Sequence, residues 1–385
     1  MEYFLSDEQK TIKDLARRIA EERVLPVRAQ LDESEEFPWQ IIKDMAAADL
    51  FRIFVPAEYE GLGGGSLELC LVMEEMSRVC SGVAISFAAS ALGSYTLIDF
   101  GSDSQKQKFL PDIAAGKRLA AFALTEPAAG SDASAIRTTA EKAQGGYLIN
   151  GTKQFITNGG EAEIYTVIAL TDKARGPRGA SAFVVEKGTP GFTFGKKEKK
   201  MGIRASATRE LVFQNCLVPE ENMIGKPGMG FILTMRLLDK SRPGVAAQAL
   251  GIAQGALEAA YDYARQRVQF GQPLILQPVV QNMLADMAIQ VEAARALIYA
   301  AARNIDSGSR DYTESSAMAK VFASDVAMRV ATDAVQLCGG SGYMRDYPVE
   351  KMMRDAKITQ IYEGSNQVLR NAIAIELRKR RARRE

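Results

Sequence analysis

The chain has 385 residues, 47% of them hydrophobic and 25% charged, with 48 Lys+Arg against 47 Asp+Glu and a formal net charge of +1. At roughly 150 residues per domain this length allows two or three domains that each bury a core; the composition excludes a disordered chain, and the near-neutral balance argues against bulk nucleic-acid binding. There is no histidine, which removes Ser-His-Asp and Cys-His nucleophile systems and His-ligated zinc or iron sites, and leaves proton transfer to a carboxylate, Lys, Tyr or Cys.

The opening MEYFLSDEQK has no apolar core and carries acids early, so it resembles neither a signal nor a transit peptide. Ser6 and Gln9 form an S-x-x-Q capping box, predicting an amphipathic helix through Val24 with Ile12, Leu15, Ala16 and Ile19 on one face. The Gly-rich GLGGG at 61–65 precedes a second helical run, Leu67 to Val79. After residue 118 the period shortens to two. Asn150-Gly151 between strand-like flanks predicts a hairpin turn, and strands are expected at Ile164–Leu170, Ala182–Glu186, Phe192–Phe194 and Glu210–Phe213. The Lys196–Lys200 run reads as an exposed turn.

From about residue 226 the helical period returns, and Met283, Met287, Val291, Ala294, Ile298 and Ala301 mark the buried face of a long helix. The expected organisation is an all-α segment over 1–118, a β module over 119–225 and a helical bundle over 226–385. Cys70, Cys80, Cys216 and Cys338 form no CxxC pair, so no disulfide framework or metal site is expected and a reducing cytoplasm fits. No run of 18 apolar residues appears, so no membrane insertion is expected.

No phosphate loop is present: GxxxxGK[ST] is absent and the glycine clusters miss the GxGxxG spacing. Two stretches look like more than scaffold. FALTEPAAGSD, from Phe122 to Asp132, is either a domain-junction loop or a loop whose hydroxyls and N–H groups grip a polar ligand. The second runs from QLCGGSG at 336–342 to IYEGSNQ at 361–367. Its Glu363 reads as an ordinary last-turn residue, or as a carboxylate set against the helix dipole beside Ile361 and Tyr362, with a raised pKa suited to a catalytic base.

Together with RQRVQFGQPL at 265–274 and MGIRASATRELVF at 201–213, these stretches closely resemble the acyl-CoA dehydrogenases, in order and over nearly the whole chain. The resemblance implies an α+β fold: an N-terminal helical domain, a central β-barrel-like domain and a C-terminal four-helix bundle. It implies a homotetramer, a dimer of dimers, with one FAD per subunit in a cleft completed by a neighbour. Acyl-CoA would be the substrate and an electron-transferring flavoprotein the partner.

By the same resemblance, Glu363 matches the base that takes the α-proton while the β-hydride goes to flavin N5. Its own backbone N–H, with a ribityl hydroxyl, would hold the thioester carbonyl. Phe122, Leu124, Thr125 and Ser131 match positions lining the flavin, and Phe155, Ile156 and Thr157 the segment covering its ring, with Phe155 where relatives carry Trp. Arg267 and Phe270 match the pair reaching FAD from the neighbouring subunit. Gln336, Gly339 and Gly340 match the stretch along its pyrophosphate and adenosine, and Ser365 and Gln367 further flavin contacts. Ser131, Asp239 and Arg242 match positions toward CoA, while Tyr362 and Gly364 flank the substrate. Gln277-Pro278 departs from relatives whose glutamine stands one position later.

Ser241 occupies the position where the isovaleryl-type branch carries its base, and Ala84 that of an Arg used by glutaryl-CoA dehydrogenases, so both branches are disfavoured. Small Ala84, Ala88 and Ala89 would open the pocket to a short, medium, branched or alicyclic acyl group. Competing readings are an acyl-CoA oxidase, an enoyl-CoA reductase and a non-catalytic nucleic-acid-binding flavoprotein. The last is suggested by the Arg/Lys-rich tail 377–385, which otherwise reads as a frayed helix end.

Overall fold

A computed structural model describes residues 3–309 and 311–382. The N-terminal capping box forms as its sequence dictates: Gln9 N–H donates to Ser6 Oγ (3.1 Å) and Ser6 N–H to Gln9 Oε1 (3.0 Å). It opens α1 (Asp7–Ile19), whose Ala16 and Ile19 are buried. The helix expected through Val24 instead widens into a π-helical turn at Ala20–Val24. There Leu25 N–H reaches back to the Ala20 carbonyl (2.9 Å), and the extra residue in the turn keeps both Ala20 and Val24 in the core.

Next come α2 (Arg28–Ser34), α3 (Trp39–Ala47) and α4 (Ser66–Phe100). The second helical run therefore extends past Val79 to Phe100, interrupted at Cys80, whose backbone is extended (φ −153°, ψ 104°). Its best 18-residue window has a mean hydropathy of 1.4, long and apolar enough to cross a membrane, but 72% of that window is buried within the protein, so α4 is a core helix. Its N-terminus is capped from a distance. Asp306 accepts from the N–H groups of Ser66 (2.6 Å) and Leu67 (2.9 Å), placing a carboxylate at the positive end of the helix. A Cβ on Gly65 would lie 2.4 Å from Asp306 Oδ1, so the last glycine of GLGGG makes room for this cap. α5 (Asp103–Ala114) completes the segment.

The middle of the chain supplies β1 (Ala120–Ala123), β2 (Thr139–Ala143), β3 (Gly146–Thr157), β4 (Ile164–Leu170), β5 (Ala180–Glu186), β6 (Phe192–Lys197), β7 (Thr208–Pro219) and β8 (Met223–Ile224). Among the described residues they form an eight-stranded sheet in the order β6-β7-β3-β2-β4-β5-β8, with β1 parallel to β4.

The hairpin expected at Asn150-Gly151 is absent; these residues lie inside β3, at a register shift against β7. Gly151 (φ +146°) sits at a bulge where a Cβ would meet Thr138 Oγ1 at 2.5 Å, and Asn150 Oδ1 accepts from Asn215 N–H (2.7 Å). The turn falls earlier, between β2 and β3, at Gly145. The lysine run is not a free turn either: Lys197 donates to the Glu35 carbonyl (2.7 Å) and Lys200 to the Ser206 carbonyl (2.6 Å).

The C-terminal helices are α6 (Gly230–Gln266), α7 (Pro278–Asp306), α8 (Thr313–Cys338), α9 (Val349–Thr359) and α10 (Asn366–Ala382), with a ribbon of β9 (Val268–Gln269) and β10 (Gln272–Pro273) after α6. The α7 stripe is buried at Met287, Val291, Ala294, Ile298 and Ala301, with Met283 half-buried. Pro278 is the first residue of α7 with Gln277 as its N-cap, a position where a missing N–H costs nothing. α8 packs against α6, α7, α9 and α10.

Buried charges bind the segments together. Glu75 pairs with Arg17 (2.9 Å), and Glu74 with Arg295 (2.9 Å) and the Tyr299 hydroxyl (2.6 Å), joining α1 and α7 to α4. Arg354 of α9 reaches Asp32 (2.6 Å) and the Met201 carbonyl (3.0 Å), while Asp355 accepts from Ile203 N–H. The MGIRAS stretch thus docks the sheet on the helical bundle. In the basic tail, Arg380 pairs with Glu314 (3.3 Å); residues 383–385 lie outside the described residues.

Candidate active site

A cavity of about 260 Å³ opens where the three segments meet. Its walls come from α4 (Met73, Ala88, Leu92), the loop after β1, the end of β3, α6 (Leu238, Ser241, Arg242) and the turn between α9 and α10. Of the residues singled out in the sequence, Phe122, Leu124, Thr125, Ser131, Phe155, Ile156, Thr157, Arg242, Tyr362, Glu363 and Gly364 all line it. Ala88 and Ala89 do so as well, but Ala84 is fully buried behind the wall.

Glu363 is not a last-turn helix residue. α9 ends at Thr359, and Glu363 stands in the following turn at φ 53°, two residues before Ser365, which caps α10. Glu363 therefore does not oppose the α9 dipole from its last turn, and desolvation is what raises its pKa. Burial pushes the Glu363 carboxyl above its usual range, against the opposing pull of the Ser241 hydroxyl, Arg242 and Lys320. Ser241 Oγ donates to Glu363 Oε2, and Arg242 Nε to the Glu363 carbonyl (3.4 Å). Arg242 is itself paired with Asp239, which also accepts from Thr313 Oγ1 (2.7 Å); Asp239 stands behind the cavity wall and orients Arg242. Tyr362 turns its hydroxyl to Gln248.

Two lysines that sequence reasoning passed over support this site. Lys320 of α8 is fully buried and donates to the Gly364 carbonyl (2.8 Å) and Asn366 Oδ1 (3.1 Å), holding the turn from below. Lys153 of β3, also fully buried, donates to Glu126 (2.7 Å) and to the Leu124 carbonyl (2.9 Å). Glu126 in turn accepts from the N–H groups of Arg137 (2.6 Å) and Thr138 (3.0 Å), so the TEP loop is braced by a fully partnered ion pair. The sequence signal was a lone lysine among small or apolar neighbours, as in AMAKVFAS at 317–324.

The other expected residues stand apart from the cavity. Ser365 follows Gly364 directly, and Gln367 lies in the first turn of α10. Arg267 precedes the β9–β10 ribbon, and Phe270, 93% exposed at φ 52°, forms its tip. Gln336, Gly339 and Gly340 are exposed at the end of α8. A Cβ on Gly130 or Gly340 would meet no atom of the chain within 4 Å, so nothing in the protein itself fills the space beside them. With Phe155 half-exposed at the cavity rim, and with hydroxyls at Thr125, Ser131 and Thr157, the lining fits an aromatic ring system bearing polar edges. Among the described residues no group of three or more Cys, Asp or Glu side chains is placed to hold a metal ion.

Three family models match in chain order: the acyl-CoA dehydrogenase N-terminal domain over residues 6–117, the middle domain over 121–216 and the C-terminal domain over 228–377. A chain of the structure described as the electron transferring flavoprotein of Acidaminococcus fermentans superposes with a TM-score of 0.96 at 49% identity, covering 98% of this chain and 99% of that one. Butyryl-CoA dehydrogenase from Megasphaera elsdenii gives 0.95 at 46% identity, covering 98% and 100%. Among curated proteins, an acryloyl-CoA reductase (NADH) of Anaerotignum propionicum is 44% identical over 382 residues, 99% of this chain and 97% of its own.

Proposed function

The chain belongs to the acyl-CoA dehydrogenase family, whose cofactor is FAD, and on that premise we propose that it dehydrogenates a short-chain acyl-CoA to the 2-enoyl-CoA with Glu363 as the base. The observation that carries this reading is a single carboxylate, desolvated and held by Ser241, in the wall of a largely apolar cavity.

The thioester carbonyl would accept from Glu363 N–H, which has no hydrogen-bond partner among the described residues. Polarising that carbonyl acidifies the α-carbon; one such donor is worth roughly 3–4 kcal/mol in comparable sites. Glu363 then takes the α-proton, and as the carboxyl becomes neutral its burial turns from a cost into an advantage. Bound FAD supplies the acceptor for the β-hydride. Phe122, Leu124, Thr125, Ser131 and Phe155–Thr157 would hold the flavin, with Gln336, Gly339, Gly340, Ser365 and Gln367 along the rest of the cofactor. Exposed Arg267 and Phe270 would complete it in a neighbouring subunit of a homotetramer. Arg242, oriented by Asp239, would guide the CoA arm.

The butyryl-CoA dehydrogenase likeness supports a short acyl group, and the Acidaminococcus likeness supports an electron-transferring flavoprotein as electron acceptor. Four buried, unpaired cysteines suit a cytoplasmic setting. The reductase relative supports a second reading, reduction of an enoyl-CoA by the same residues in reverse. Anaerobic titration of the holoenzyme with butyryl-CoA, and of its reduced form with crotonyl-CoA, tests both. Bleaching of oxidised flavin by butyryl-CoA is the expected result, and a flavin that no saturated thioester bleaches would overturn the primary reading.

A further inference from the structure

Tyr95, in the C-terminal half of α4, is the one side chain common to the Glu363 cavity and a second cavity of about 390 Å³. On the Glu363 side its neighbours in the wall include Leu69 and Leu92. On the other side the lining includes Phe54, Ser66, Ile98, Ile305 and Tyr312. Ser66 and Leu69 are one helical turn apart, so α4 carries one cavity into the other with the phenol ring between them.

The ring is 5% exposed, and Lys240 Nζ lies 4.7 Å from its centroid, held by two contacts to Asp99 (2.8 and 3.1 Å). The Tyr95 hydroxyl takes no hydrogen-bond partner among the described residues, so no polar anchor fixes the side chain from behind. It stands as an aromatic partition, supported on one face by a cation.

We propose that Tyr95 sets the acyl length this site accepts, and that the second cavity, which opens to solvent at Gly63, Asp99 and Asp306, is an extension of the acyl pocket that the Tyr95 ring separates from it. The inference rests on the acyl-CoA reading above. Phe54, Ile98 and Ile305 give the second cavity an apolar flank that would cover added methylenes, each worth roughly fourfold in affinity when removed from water. Asp99, Lys240 and Asp306 place charges in its wall, so the gain ends once a chain reaches them.

The test compares wild-type holoenzyme with Tyr95→Ala, Tyr95→Leu and Tyr95→Phe, using butyryl-, hexanoyl- and octanoyl-CoA. Both kcat/KM and equilibrium binding are read. Opening the partition should raise the octanoyl-to-butyryl ratio by about tenfold or more in Tyr95→Ala and by less in Tyr95→Leu. Tyr95→Phe, which keeps the ring, should hold the wild-type ratio. Adding Ile98→Phe to Tyr95→Ala refills the second cavity from the next turn of α4 and should return the ratio toward wild type. Tyr95→Leu keeps the question answerable if the alanine variant fails to fold. Unchanged ratios in a folded Tyr95→Leu or Tyr95→Ala protein would overturn the proposal. A wild type that turned over no thioester would instead overturn the function reading, and the binding ratio would still decide the role of Tyr95.

Discussion

Ser241 Oγ donates a hydrogen bond to Glu363 Oε2 across 122 residues of chain, from α6 to the turn before α10. That bond favours the ionised carboxylate, whereas burial favours the neutral acid, and burial prevails. Glu363 therefore titrates above the ordinary glutamate range while keeping one oxygen fixed.

Ser241→Ala should move that balance further. Without the hydroxyl the carboxylate loses a stabilising donor and its pKa rises again. A base works only when deprotonated, so activity is lost as pH falls through this pKa. The acid limb of kcat/KM against pH should shift to higher pH in the variant, with the alkaline plateau retained. A limb that stayed in place would show that the bond does not tune Glu363.

The Lys153–Glu126 pair should be costly to break from one side. Lys153→Met leaves Glu126 buried with only backbone donors, and one-sided loss of a buried pair typically costs about 3–5 kcal/mol. Urea unfolding should show that loss, and adding Glu126→Gln should restore most of it. Because the pair braces the TEP loop, FAD retention should fall in the single variant. A single variant as stable as wild type would mean that Glu126 is satisfied without Lys153.

Lys320 should leave a signature in stability against pH. Burial lowers its pKa from 10.5 to about 7, with Glu363 and Asp325 pulling it up and Arg242 pushing it down. Between those pH values the unfolded chain holds a proton that the folded one has released, so wild-type stability gains with rising pH. The slope is at most about 1.4 kcal/mol per pH unit from this one group. Lys320→Met should lack this component, and the difference between the two unfolding free energies, followed from pH 7 upward, measures it. Parallel curves would place the Lys320 pKa near that of an exposed lysine.

Much of the architecture was legible where the signal is local. The Ser6–Gln9 box, the α7 stripe and the strands β4 and β5 follow from neighbours a few residues apart. Asn150-Gly151 was not, because the same dipeptide serves a tight turn or a bulge, and the choice is made by β7 and Thr138. Glu363 stood out through its motif, yet its supports could not: Ser241 reaches it, and Lys320 the carbonyl of the next residue, only in the folded chain. The same holds for Tyr95, whose place between two cavities depends on both halves of α4 lining one space.

The most direct test of the account is exchange of the acyl α-hydrogen. Holoenzyme in deuterated buffer would be incubated anaerobically with butyryl-CoA, and deuterium at the α-carbon followed by mass spectrometry, for wild type and Glu363→Gln. The account predicts uptake by wild type, and in Glu363→Gln at least about a hundredfold slower uptake with FAD still bound. Equal uptake by the two proteins would contradict the assignment of Glu363 as the base.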